Sequence, residues 1–134
     1  MDNSLKQGVS TTRNFSVTPD KTINFMGEGA RVYATPSLIQ DIEQTCRDLI
    51  VEHVDKGSDS VGLEVSVKHL APTLQGMDVS VTVTVEDVEG PKVVFNVSAC
   101  DPAETVCTGR HVRFIVDVEK TERRLIAKAE KIAS

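Results

Sequence analysis

The sequence predicts an α+β domain in which an antiparallel sheet wraps around one long central helix. Two patterns predict it. Four alternating apolar stretches follow one another through the second half of the chain, separated by turns and one loop that are too short for crossover helices. Ahead of them lies a single long stretch with apolar residues at helical spacing. The length agrees: 134 residues suit one domain spanning 1–134, large enough to bury a core without disulfides or metals.

Taken in order, Val9, Thr11, Arg13, Phe15 and Val17 share one face of a first strand, which Thr18-Pro19-Asp20 ends with turn chemistry. Residues 21 to 34 are mixed, with a Gly27-Glu28-Gly29 loop. The long helix starts at Thr35-Pro36, where the hydroxyl can cap and the proline needs no donor. Leu38, Ile39, Ile42, Cys46, Leu49, Ile50 and Val54 form its broad apolar face, and Asp55-Lys56-Gly57-Ser58 closes it. The strand rows expected to face the helix are Val61/Leu63/Val65/Val67/His69, then Val79/Val81/Val83/Val85, then Val93/Phe95/Val97/Ala99, and last Val112/Phe114/Val116/Val118. The tail from Glu119 reads as a short charged helix carrying Leu125, Ile126, Ala129 and Ile132.

Composition narrows the function. Twenty acidic against fifteen basic residues leave a net charge of −5, with no basic stripe for nucleic acid. No apolar run is long enough for a membrane span and no signal peptide is evident, so a cytoplasmic location is expected. Cys46, Cys100 and Cys107 lack both the even count of a disulfide framework and metal-ligand spacing, and no metal is expected. Phosphate-binding glycine loops and a Gly-x-Ser-x-Gly elbow are absent from the sequence.

Three residues stand out against this background. Glu43 shares a helix side with Ile39, Cys46 and Ile50, which puts a carboxylate inside the apolar arc. That suits a base or nucleophile facing a pocket; it equally suits a carboxylate at the rim that reaches water or a structural partner. His69 ends an inward aliphatic row, where imidazole can exchange a proton near neutral pH or simply sit hydrogen-bonded in the core. Thr35 adds a hydroxyl to the free backbone donors of the first helical turn, serving either as a plain cap or as a holder of a thioester or carboxylate oxygen. His53 falls in the last helical turn and takes no role. Alternation places His111 and Arg113 on the face opposite Val112 and Phe114, which reads as surface or interface.

The order strand, helix, four strands resembles the hotdog fold. Within it, several stretches are similar to the fluoroacetyl-CoA thioesterase group: Lys21-Thr22, Tyr33-Ala34-Thr35, Glu43, Val67-Lys68-His69, Val88-Glu89-Gly90, Ser98-Ala99 with Asp101, and Gly109-Arg110-His111-Val112-Arg113. The resemblance implies that Thr35, Glu43 and His69 are the catalytic set and that Gly62 and Arg113 lie near the acyl group. It also implies a homodimer with sites between subunits, and no cofactor beyond the CoA of the substrate. Before Thr35 the chain departs from the aromatic-bearing lid of the family member specialised for fluoroacetyl groups and offers Gly27-Glu28-Gly29-Ala30-Arg31-Val32. The expected activity is therefore hydrolysis of a short- or medium-chain acyl-CoA thioester. A hydratase or dehydratase acting on an acyl thioester, and a non-catalytic acyl-CoA-binding domain, are the alternatives.

Overall fold

The computed structural model describes residues 4–134. Strand β1 (Ser10–Ser16) is followed by two-residue strands β2 (Thr22–Ile23) and β3 (Val32–Tyr33), which pair with each other. Helix α1 (Thr35–Val51) comes next, then β4 (Ser58–His69), β5 (Asp78–Glu89), β6 (Lys92–Cys100), β7 (Thr105–Asp117) and helix α2 (Val118–Ala133). The five long strands form one sheet in the order β1-β5-β6-β7-β4, antiparallel at every pairing. The α+β arrangement of a sheet curved around one long helix is thus the one the sequence predicts.

Helix α1 buries Leu38, Ile42, Cys46, Leu49 and Ile50 against the sheet. Each large aliphatic buried this way contributes about 1.5–3 kcal/mol relative to exposure. Facing them are Val79, Val81, Val83 and Val85 of β5 and Val93, Phe95, Val97 and Ala99 of β6, all essentially buried. The helix ends at Val51, ahead of the expected glycine stop, where His53 Nδ1 lies 2.8 Å from the Leu49 carbonyl. Between β5 and β6, Gly90 has a φ of 58°, the positive value a two-residue hairpin needs at its first central position.

Two strand faces differ from expectation. In β4 the register shifts between Gly62 and Glu64, so a bulge at Leu63 exchanges the two sides of the strand. Val65, Val67 and His69 keep the inward side, while Val61 and Leu63 are 48% and 61% exposed. In strand β7 the row carrying Cys107, His111 and Arg113 takes the inward side. Of the expected row, Val112 is buried and Val116 half-buried, while Phe114 and Val118, the first residue of α2, are exposed. Apolar alternation marks a row without marking its side; here the polar row faces inward because partners await it there. Helix α2 buries none of its residues, and no helix among the described residues is long and apolar enough to cross a membrane.

Candidate active site

The β3–α1 junction sets the position of Thr35. Ala34 occupies the N-cap position with no side-chain bond, and its amide is tied to the Lys21 carbonyl at 2.8 Å. Thr35 therefore does not cap the helix as expected; its hydroxyl is directed sideways to β4, where Oγ1 lies 2.8 Å from His69 Nδ1. The His69 ring meets Tyr33 edge-on, with centroids 6.3 Å apart. Its Nε2 is buried without a hydrogen-bond partner among the described residues. Burial pushes the His69 pKa below its usual value, so the ring is neutral near pH 7 and able to accept a proton. Thr35 and His69 line a concavity of about 250 Å³ with Ile23, Leu70, Ala71 and Pro72.

Glu43 lies farther along α1, eight residues or about 12 Å of helix from Thr35. Its side chain is 43% exposed, so it sits at the rim of the apolar arc instead of inside it. Arg113 reaches it from β7: Nη1 lies 3.6 Å from Glu43 Oε2. The guanidinium is almost fully buried, and its other donors are engaged. Nε donates to Ser60 Oγ at 2.7 Å and Nη2 to the Ser60 carbonyl at 2.8 Å. Nη1 also meets His111 Nε2 at 3.2 Å. An arginine has only donors, so His111 Nε2 must accept, and the His111 proton resides on Nδ1, 2.9 Å from the Glu64 carbonyl. Burial, and secondarily Arg113, hold the His111 pKa below its usual value, while the Glu64 carbonyl and Glu43 act in the opposite direction.

Gly62 completes this cluster. A Cβ there would lie 3.2 Å from Glu43 Oε2, 3.5 Å from His111 Cε1 and 3.7 Å from Arg113 Nη1. Glycine leaves room for the three side chains to meet. Glu43 and Arg113 open onto a cavity of about 270 Å³, shared with Pro36, Ile39, Gln40, Gln44 and Arg47.

A third polar group lies beneath the helix. Asp41 is buried, accepts a hydrogen bond from the Tyr33 hydroxyl, and pairs with Lys21 Nζ at 3.0 Å. Burial, followed by the Asp41 hydrogen bond, raises the Tyr33 pKa, so the phenol stays protonated. This network fixes the Tyr33 ring that packs against His69. The sequence reading missed it; an aspartate two positions before Glu43 on a buried helix side was the available signal.

Of the five expected site residues, one chain brings together two sets. Thr35 meets His69; Glu43 meets Gly62 and Arg113. The two sets line different concavities of the protomer. The outward placement of Arg113 read from alternation is corrected: the buried Ser60, the His111 ring and Glu43 supply the partners that let a guanidinium face inward. His111, read as a surface or interface group, is likewise fully buried.

Comparison with known proteins gives one consistent result. Residues 17–119 match the family model described as fluoroacetyl-CoA-specific thioesterase. A fluoroacetyl-CoA thioesterase of Streptantibioticus cattleyicolor is 28% identical over 135 residues, covering 96% of this chain and 97% of that protein. The crystal structure of a point mutant of the fluoroacetyl-CoA-specific thioesterase superposes with a TM-score of 0.86 at 28% identity, covering 94% and 98% of the two chains. A hypothetical protein from Thermus thermophilus, described as a thioesterase superfamily member, gives 0.85 at 30% identity over 96% and 98%.

Proposed function

The chain belongs to the fluoroacetyl-CoA-specific thioesterase family and has its hotdog fold, and from that premise we propose that it hydrolyses a short- or medium-chain acyl-CoA to the free acid and CoA in a homodimer. The carrying observation is the Thr35–His69 pair, which holds a neutral imidazole with Nε2 left for a reacting group. Glu43 is the carboxylate that attacks the thioester carbonyl or activates water upon it. Arg113 fixes that carboxylate from the buried side. His69 positions the thioester and passes a proton to the leaving thiolate, and Thr35 holds the ring in place. Water supplies the hydroxyl of the acid and the proton of the thiol, so no redox partner is required.

The two sets come together, in this reading, across subunits. Strand β4 is an edge of the sheet: one side pairs with β7 and the other has no strand neighbour among the described residues. It carries the exposed Val61 and Leu63. An open edge bearing apolar side chains favours pairing with a second copy. One protomer would then contribute Glu43, and its partner the Thr35–His69 pair.

The test is thiol release from a panel of acyl-CoA esters. Wild type is expected to exceed Glu43→Gln by at least about a hundredfold, the usual scale for losing a general base or nucleophile. Equal background rates in both would overturn the reading, as would binding of acyl-CoA without turnover. Mixing Glu43→Gln with His69→Ala chains tests the shared site. Mixed dimers restore activity if the two residues act from different subunits, and stay inactive if they act from one.

A further inference from the structure

We propose that His111 is a positioning residue for Arg113, and through it for Glu43; the proposal rests on the thioesterase reading of this site. The support is a continuous set of contacts running from β4 through β7 to α1. The Glu64 carbonyl accepts the Nδ1 proton of His111. Nε2 of the same ring accepts from Arg113 Nη1. The same Nη1 faces the Glu43 carboxylate. Ser60 alone cannot define this geometry. It takes Nε and Nη2 on one side of the guanidinium and leaves Nη1 to be directed by His111.

A neutral ring is essential to the arrangement. A proton on Nε2 would abolish the acceptor and set an imidazolium against a guanidinium, both within a buried cluster. The charged groups facing His111 are Arg113 from its own strand and Glu43 from α1. From β4 it meets the Glu64 carbonyl, and its register neighbour on β6 is the apolar Phe95. Arg113 opposes the imidazolium and Glu43 favours it, so the ring reports on the ion pair that it helps to hold. This is a role distinct from that of His69, which has no charged partner among the described residues and an open nitrogen.

Two variants separate positioning from packing. His111→Leu keeps an apolar filling but supplies no acceptor; kcat for acyl-CoA hydrolysis is expected to fall at least about tenfold with a smaller change in KM. In His111→Gln the side-chain amide oxygen can stand near the place of Nε2 and does not titrate. It is expected to recover most of what His111→Leu loses and to remove one ionisation from the acid limb of the kcat/KM profile. Equal impairment of the two variants would overturn the proposal, as would full activity in His111→Leu. Nitrogen NMR of the imidazole supplies a readout independent of turnover and of whether His111→Leu folds. His111 is expected as the Nδ1–H tautomer at neutral pH, with its pKa shifted by Arg113→Gln. An Nε2–H tautomer, or a pKa indifferent to Arg113, would refute the positioning role even if the protein hydrolysed no ester at all. Absence of thiol release with the expected tautomer would instead count against the thioesterase reading.

Discussion

Thr35 Oγ1 and His69 Nδ1 lie 2.8 Å apart, joined across 34 residues of chain by the packing of the first turn of α1 on the end of β4. Because the Thr35 hydroxyl caps nothing in its own helix, its loss should be felt by the imidazole and hardly by the fold. Thr35→Ala is expected to cost less than about 1 kcal/mol in denaturant unfolding, the net value of one exposed hydrogen bond. Its thiol-release rate should fall by about tenfold or more, since an unheld ring spends less time in the reactive orientation. Thr35→Ser keeps the oxygen and should stay within about threefold of wild type. A stability loss in Thr35→Ala comparable to a lost helix cap, with activity intact, would reverse the assignment.

Two glycines should respond oppositely to the same added methyl. At Gly62 the nearest atom is a carboxylate oxygen at the end of a half-exposed side chain, at 3.2 Å, and such an atom can move. Gly62→Ala should therefore fold with an almost unchanged melting temperature but displace Glu43 from Arg113 and depress kcat. At Gly109 the added Cβ would meet the Ser66 carbonyl oxygen at 2.3 Å and Val67 Cα at 2.7 Å. Backbone cannot yield in that way without separating β4 from β7, so Gly109→Ala is expected to destabilise by about 3 kcal/mol or more. Thermal melts and thiol-release assays on the two variants check both halves. A cold-stable Gly109→Ala, or an unfolded Gly62→Ala, would contradict the contact geometry.

The unequal legibility of the chain has a physical basis. Helix α1 and strands β5 and β6 are plain in the sequence because their inward rows are uninterrupted aliphatics that bury on the expected side. Thr35 and His69 are legible for the same reason, as polar residues at the ends of such patterns. The β4 bulge is not, because nothing in Gly62-Leu63-Glu64 announces where the register slips. The inward turn of His111 and Arg113 is hidden as well. Their row looks like a solvent face until Ser60, Glu64 and Glu43 are known to lie against it, and those partners are about 50 to 70 positions away in sequence. Asp41 is hidden too, because its partners Tyr33 and Lys21 come from two short segments with no periodicity of their own.

The two histidines with depressed pKa values also set a pH range for unfolding. His69 and His111 both lie below 6.5 in the folded protein, each chiefly because burial disfavours the charged ring. In the unfolded chain they titrate near about 6.5. As pH falls through that value the unfolded state binds protons first, so folding stability must fall with it. The slope approaches about 1.4 kcal/mol per pH unit for each histidine and levels off once the folded rings protonate. His111 is fully buried and should carry most of the effect; the partly exposed His69 adds less. The carboxylates act in a separate window. Arg47 hydrogen bonds hold the Asp59 pKa below its usual value, so the stability it contributes is complete at neutral pH and is lost only below about pH 4. Urea unfolding between neutral pH and pH of about 5 therefore isolates the imidazoles. Wild type should lose stability across that interval, and His111→Gln should lose distinctly less. A flat profile in wild type, or an identical slope in the variant, would mean that the buried ring does not titrate below its unfolded value.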